Sequence, residues 1–395
     1  MMRKLLLLIL VCAFFMSCSS ESSTDDTADI EESPNDTNDD SGTDSSEEMV
    51  LPEIAILGYE NFSASPLYFI NWDENYENKT TLNLYEQLNT DRLFYFSDTK
   101  GFFYVTDFDF SNSKTYRYSF LSNTFQEYIS TDYLVSQAQS PFQRIRPTGD
   151  YILSEIKDNS TFDSYFNAYN VNSESTYEYY LGEGQVLGNG SYIKGRDDFA
   201  FLIFDPNDND NYELHIFNLR DETHFEISYE FSTGLMYHGP DETLFVSDGD
   251  GCLADYKVLD LSTFQIEGTG TFGELQCSNS FIPDSKFFND QILFNLGSQG
   301  DVTGYSMPTI YNSTTLDRRF FLYPEIRDSI NNSTPIIGFV HAINLDLELE
   351  IIIAGYEYRD TDNITKGGVA FLNYDLEVLK VIPLNEIIPD QILFK

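Results

Sequence analysis

An all-β fold of the β-propeller class, with seven four-stranded blades closed by pairing of the N- and C-terminal strands, is what this sequence predicts. Three observations predict it. The peptide Asp290-Gln291-Ile292-Leu293-Phe294 returns letter for letter as Asp390-Gln391-Ile392-Leu393-Phe394, two periods of about 50 residues later, and units of that length are what a ring of blades looks like in sequence. A hairpin recurs in which an apolar strand ends in Asn or Asp and an aromatic-rich strand returns. No long stretch carries a sustained helical stripe.

The chain opens with Arg3 and Lys4, an apolar run from Leu5 to Met16, and then Ser17-Cys18. The run is too short to span about 30 Å of hydrocarbon as a helix, so residues 1–17 read as a secretion signal. Residues 18–49 are almost free of apolar side chains and rich in Asp, Glu, Ser and Thr. Such a segment cannot bury enough surface to fold and reads as a disordered tether.

Residues 50–395 form the predicted propeller domain, expected as a monomer. Its hairpin anchors are Asn71, Asn170, Asn218, Asp260, Asn312 and Asn373, with a degenerate copy at Ser119, spaced by 48, 51, 48, 42, 52 and 61 residues from Asn71 onward. Asn and Asp suit these places because the side chain bonds the backbone two residues on and tolerates the left-handed region. The run Phe199-Ala200-Phe201-Leu202-Ile203-Phe204 barely alternates, as expected of a strand covered on both faces. From Pro52 to about Tyr85 there is room for three strands only, while Ile388 to Lys395 starts a unit and leaves it unfinished; together they make one blade without a free edge. The long interval between Asn312 and Asn373 leaves room for extra strands and so for a ring of six or eight.

Charge narrows the function. With 65 acidic and 22 basic residues the formal charge is -43, and such a surface repels nucleic acid and anionic lipid. No catalytic constellation stands out. Gly268, Gly270 and Gly273 have dinucleotide-loop spacing but lie on a predicted outer strand with no helix behind them. The four histidines (His215, His224, His238 and His341) show no zinc spacing, and the carboxylates are too many to single out an acid–base pair. The expectation is a binding protein rather than an enzyme, with a propeller hydrolase or lyase as the alternative.

Three further sets of residues are candidates. Cys252 and Cys277 fall in loops that a propeller places on one face, which outside the cytoplasm favours a disulfide closing about 26 residues; two free thiols are the competing reading. Asp205, Asp208 and Asp210 lead a series of Asp-rich loops that includes Asp107, Asp158, Asp248 and Asp360. Their oxygens suit calcium, though no loop has the EF-hand spacing and solvated turns explain them as well. Basic residues are rare, yet Arg92, Arg144, Arg146, Lys194, Arg196, His238, Lys286 and His341 fall on or beside predicted innermost strands. Gathered at a channel mouth near Tyr95, Tyr192 and Tyr237 they would hold an anionic, aromatic ligand; paired with local acid they would be structural.

Ser17-Cys18 at the end of the apolar run resembles the lipobox of bacterial lipoproteins, departing from it at Phe15 and Met16. The resemblance implies acylation of Cys18 and anchoring to the outer membrane, at its surface or periplasmic face. The acidic segment after Cys18 resembles the export signal of surface lipoproteins, with a plain spacer as the other reading. The whole architecture resembles propeller lipoproteins that accompany TonB-dependent transporters. That resemblance rests on no shared binding motif, and implies capture of an anionic iron chelate and hand-over to the transporter. A scaffold for protein partners without a small ligand is the competing function.

Overall fold

The computed structural model describes residues 49–60, 66–90, 93–99, 101–107, 114–129, 143–157, 163–183, 186–193, 196, 198–205, 208–231, 236–238, 242–247, 255–271, 286–288, 291–297, 306–312, 318–320, 323–333 and 337–395. The signal peptide and tether, Cys18, Cys252, Cys277, Arg92 and Lys194 lie outside the described residues. The unit Val50–Lys395 is compact, and its described residues form seven four-stranded antiparallel sheets. Six are consecutive meanders: sheet 2 (93–129), sheet 3 (143–183), sheet 4 (186–231), sheet 5 (236–271), sheet 6 (286–320) and sheet 7 (337–384). Sheet 1 joins Ile54–Glu60, Leu67–Trp72 and Lys79–Asn83 to Ile387–Phe394 from the far end of the chain. Ala55 stands opposite Leu393 and Ile56 opposite Ile392.

The duplicated pentapeptide is not a repeat in register. Its first copy supplies the second strand of sheet 6, Gln291–Gly297, whereas its second copy supplies the first strand of sheet 1, Ile387–Phe394.

The seven anchors all fall at or next to the end of a sheet's third strand, and their side chains build the turns. Asn170 Oδ1 accepts from the amides of Asn172 and Ser173, Asn218 Oδ1 from Asp221, Asp260 Oδ1 from Ser262 and Thr263, and Asn373 Oδ1 from Asp375 and Glu377. In sheet 1 the next polar residue, Asp73, takes the role. The left-handed residue is not the anchor itself but the one four places on: Asn123, Glu174, Glu222 and Phe264 have φ of 54 to 56°. There the Asn123, Glu174 and Phe264 amides donate to the anchor carbonyls, so a four-residue turn closes and the anchor stays in its strand.

The long interval after Asn312 holds a helix, Tyr323–Ser333, in place of extra strands. Ile326 and Ile330, four apart on one stripe, are fully buried against Ile337, Val340 and Leu345. Pro324 sits in the first turn, where its missing amide costs nothing. A shorter helix, Leu84–Leu88, is capped by Asn83.

Among the described residues, buried clusters join several neighbouring sheets. One apolar cluster joins sheets 1 and 2 through Phe69, Phe103 and Tyr118, another joins sheets 3, 4 and 5, and a third joins sheet 7 to sheet 1 through Val369, Phe371, Ile56 and Ile392. Ile387–Phe394 enters that last seam over missing side chains: a Cβ on Gly367 would lie 1.8 Å from the Ile387 carbonyl, and one on Gly355 2.6 Å from Pro389 Cβ.

Candidate functional site

Most of the predicted cationic site residues are to be sought on the first strands of the sheets. These strands are Ile387–Phe394, Leu93–Thr99, Gln143–Thr148, Val186–Ile193, Met236–His238, Lys286–Phe288 and Ile337–Asp346. First strands of adjacent sheets approach one another in the pairs 7 and 1, 2 and 3, and 4 and 5. Arg144 and Arg146 lie on the first strand of sheet 3, His238 ends that of sheet 5, Lys286 begins that of sheet 6, and His341 is central in that of sheet 7. For the first four of these the backbone pairing is what the structure describes. Arg144 stands opposite Glu155, Arg146 opposite Leu153, His238 opposite Leu244 and Lys286 opposite Leu293.

Arg196 is engaged within the scaffold. Its Nε lies 2.7 Å from Asp198 Oδ2 and its Nη1 3.0 Å from Glu242 Oε2, while Asn218 Nδ2 holds the other Asp198 oxygen at 2.7 Å. Because Glu242 belongs to the turn between the first two strands of sheet 5, the guanidinium ties sheet 4 to its neighbour. Asp198 is buried, so this pair serves packing.

His341 sits beside an acid that sequence reasoning missed. Its Nε2 lies 3.3 Å from Glu357 Oε2, and both side chains are mostly buried. Burial lowers the imidazole to about 4 and raises the carboxyl, Arg359 opposing the latter. At neutral pH the imidazole is therefore uncharged and adds no positive charge for an anion. Only the strand register brings residues 341 and 357 together.

Register slips occur on four of the seven first strands, those of sheets 1, 2, 4 and 7, and two of them single out one extra residue. In sheet 7 the register slips between Val340 and Ala342, which leaves His341 as the extra residue; in sheet 1 it slips opposite Leu57 and Gly58, which leaves Asp390 as the extra one. Bulges turn side chains out of the regular alternation and collect beside functional sites. Asp390 is open to solvent, yet the protein around it partly desolvates its carboxyl and raises it. Asn344 Nδ2 donates to the Ile392 carbonyl at 3.0 Å and holds the two strands side by side.

Asp205 ends the second strand of sheet 4, and Asp208 and Asp210 already belong to the third strand, with Asp205 opposite Asp208. The predicted loop is thus a tight hairpin end. Asp360, in the matching turn of sheet 7, is occupied by its own loop, accepting from the Asp362 and Ile364 amides and from Lys366 Nζ at 2.9 Å. Among the described residues no group of three or more His, Cys, Asp or Glu is placed to hold a metal ion, and no helix is long and apolar enough to cross a membrane.

No family model matches the chain, and no curated protein matches it. Solved structures similar to it include propeller domains. A putative 6-phosphogluconolactonase from Bacteroides fragilis aligns at 10% identity and a TM-score of 0.46, covering 88% of this chain and 99% of that one. An uncharacterised protein from Listeria monocytogenes aligns at 10% identity and 0.44, covering 76% and 86%. The β-propeller domain of the Trilobed protease from Pyrococcus furiosus aligns at 9% identity and 0.40, covering 80% and 90%. Likenesses this distant carry no information on activity; the strand pairing and seams above carry the architecture.

Proposed function

We propose that residues 50–395 form a closed seven-bladed propeller, carried at the outer membrane by acylated Cys18, that captures an anionic ligand such as an iron chelate in its central channel for a TonB-dependent transporter. The supporting observation is where the scarce cations fall. In a chain of charge -43, Arg144, Arg146 and Lys286, and with them the histidine His238, lie on first strands, the strands that would line such a channel. Arg144 and Arg146 carry most of the expected binding, since guanidinium groups grip carboxylate or catecholate oxygens with paired, charge-assisted bonds.

The test is a titration of the mature chain with a ferric tris-catecholate and with a neutral chelate of similar size. The anionic chelate binds saturably, and Arg144→Glu with Arg146→Glu weakens it by about tenfold or more. Equal affinity in the variant sinks the site; a partner protein recovered with no saturable chelate favours the scaffold. Closure has its own test. Deleting Asp390–Lys395 removes Ile392 and Leu393, both almost fully buried and each worth about 2–5 kcal/mol at a core position. The cooperative melt should disappear, where an ordinary frayed tail would change nothing.

A further inference from the structure

Between sheets 2 and 3 two polar rows meet. Across sheet 2, Thr106 stands opposite Thr115, and Thr115 opposite Tyr128. Across sheet 3, Ser154 stands opposite Asn167. Side chains two residues apart share a face of a strand. Tyr104 and Tyr128 pack against Ile152 and Tyr169 in one cluster, so the two rows look at each other across the same seam. Thr106, Thr115 and Asn167 are fully buried, and Ser154 and Tyr128 nearly so.

The rows are not satisfied by protein. Thr106 Oγ1 and Thr115 Oγ1 share one hydrogen bond at 3.3 Å. Among the described residues, Ser154 Oγ, both amide atoms of Asn167 and Arg117 Nε find no hydrogen-bond partner, and the Tyr128 hydroxyl has only the neighbouring Arg117 guanidinium. Buried polar atoms are almost always paired, and a dry set of four in one place is not tolerated at the usual cost of desolvation. Sheet 4 shows the contrast: three residues before its anchor, where sheet 3 has Asn167, it carries His215, whose Nδ1 meets His224 Nε2 at 2.7 Å.

We propose that the seam between sheets 2 and 3 is a built site for internal water, held by Asn167 and Ser154 with Tyr128 and the threonine pair as further partners. The chemistry selects water over an ion or an organic solute. The groups pointing inward are one amide and several hydroxyls, neutral and of both donor and acceptor type, with the Arg117 Nε as one further donor, and a buried water needs two to four such partners. Among the described residues two charges share this face: Arg117, whose Nη2 meets Asp150 at 2.7 Å while its Nε stays buried and unpaired, and Glu178, opposite Asn167 and exposed to solvent. On the order of one or two molecules would complete the set.

The test is a crystal structure of the mature protein at a resolution that shows ordered solvent. Isolated density about 2.7–3.2 Å from the Asn167 amide and Ser154 Oγ is expected. A protein side chain on the Asn167 amide, a dry gap, or density larger than water overturns the proposal. A double-mutant cycle of Asn167→Leu and Ser154→Ala, read as melting temperatures, adds a second arm. Residues that share a water give non-additive shifts, and simple additivity counts against the site.

Discussion

Sheet 3 has two neighbours and meets them by opposite means. Toward sheet 4 it presents Phe166 and Tyr179 to a ladder of rings, with Phe166 and Phe217 at 4.6 Å, Phe201 and Phe217 at 4.9 Å, and Phe217 and His224 at 4.6 Å between centroids. Toward sheet 2 it presents Ser154 and Asn167 above a smaller cluster of Tyr104, Tyr128, Ile152, Tyr169 and Val171, closed at one end by Tyr104 Oη donating to the Gly149 carbonyl and by Arg117 on Asp150. The first seam is held by area excluded from water, the second by directed bonds. Equivalent strands of a repeat can therefore keep one backbone and exchange the physics between blades.

The largest effect should come from the aromatic seam. Phe217 is fully buried and touches Phe166, Phe201, Tyr179 and His224. Phe217→Ala removes that volume where stacked rings cannot collapse, at about 3–5 kcal/mol in denaturant unfolding. Thr106→Val, in the other seam, should stay below about 2 kcal/mol because it deletes one weak bond and adds a methyl. Equal losses would break the contrast.

Acid should also distinguish the seams. Burial holds the His215 imidazole at about 3, with the His224 charge adding to the effect, and burial lowers His224 too, opposed by Glu226. Glu213, 3.6 Å from His215 Nε2, is the other acid at hand. Folded pKa values below the ordinary histidine value mean that the unfolded chain binds protons the native chain refuses, so stability is full above about pH 6.5 and falls as pH drops toward 3. For His215 alone the loss by pH 5 is about 2 kcal/mol. Replacing His215 with Phe and His224 with Phe should flatten the melting temperature between pH 7 and 5 relative to the parent, leaving the carboxylate contribution common to both. A parallel decline in parent and variant would show that the pair does not set the acid response.

The all-β class and the anchor turns were legible because each rests on local chemistry. Asn170, Asn218 and Asp260 cap their own turns wherever the rest of the chain goes, and the run from Phe199 to Ile203 announces a strand covered on both sides. What depended on register was not legible. The two histidines lie nine apart, and nothing short of the pairing of Phe217 with His224 and of His215 with Glu226 brings them within 2.7 Å. Glu357 joins His341, and Asp390 becomes a bulge residue, for the same reason. The pentapeptide misled in its own way, since identical letters serve a second strand and a first strand. The helix Tyr323–Ser333 escaped notice because Ile326 and Ile330 alone carry its buried stripe.

Among the site residues, the sequence placed Arg144, Arg146, His238, Lys286 and His341 on first strands, and there they lie. It was least informative about partners. Arg196 looked equivalent to Arg144 until its pairs were seen, because one of the two acids that engage it, Glu242, comes from a neighbouring turn 46 residues along the chain.

The smallest effect tests the directed bonds themselves. Arg117 lies 3.8 Å above the Phe102 ring centre while its Nη2 meets Asp150, so it joins sheets 2 and 3 by charge and by stacking. Asp150 keeps 45% of its side chain exposed and remains hydrated when the cation is removed, which limits the loss. Arg117→Met, retaining the apolar stem over Phe102, should cost about 1 kcal/mol and weaken the salt dependence of the melt. Arg117→Lys should recover less than its charge suggests, because a point charge cannot both stack and reach the carboxylate. A loss as large as that of Phe217→Ala would mean that the polar seam coheres as strongly as the aromatic one, and that the pairing of Thr106 with Thr115 and its facing row is stiff rather than merely satisfied.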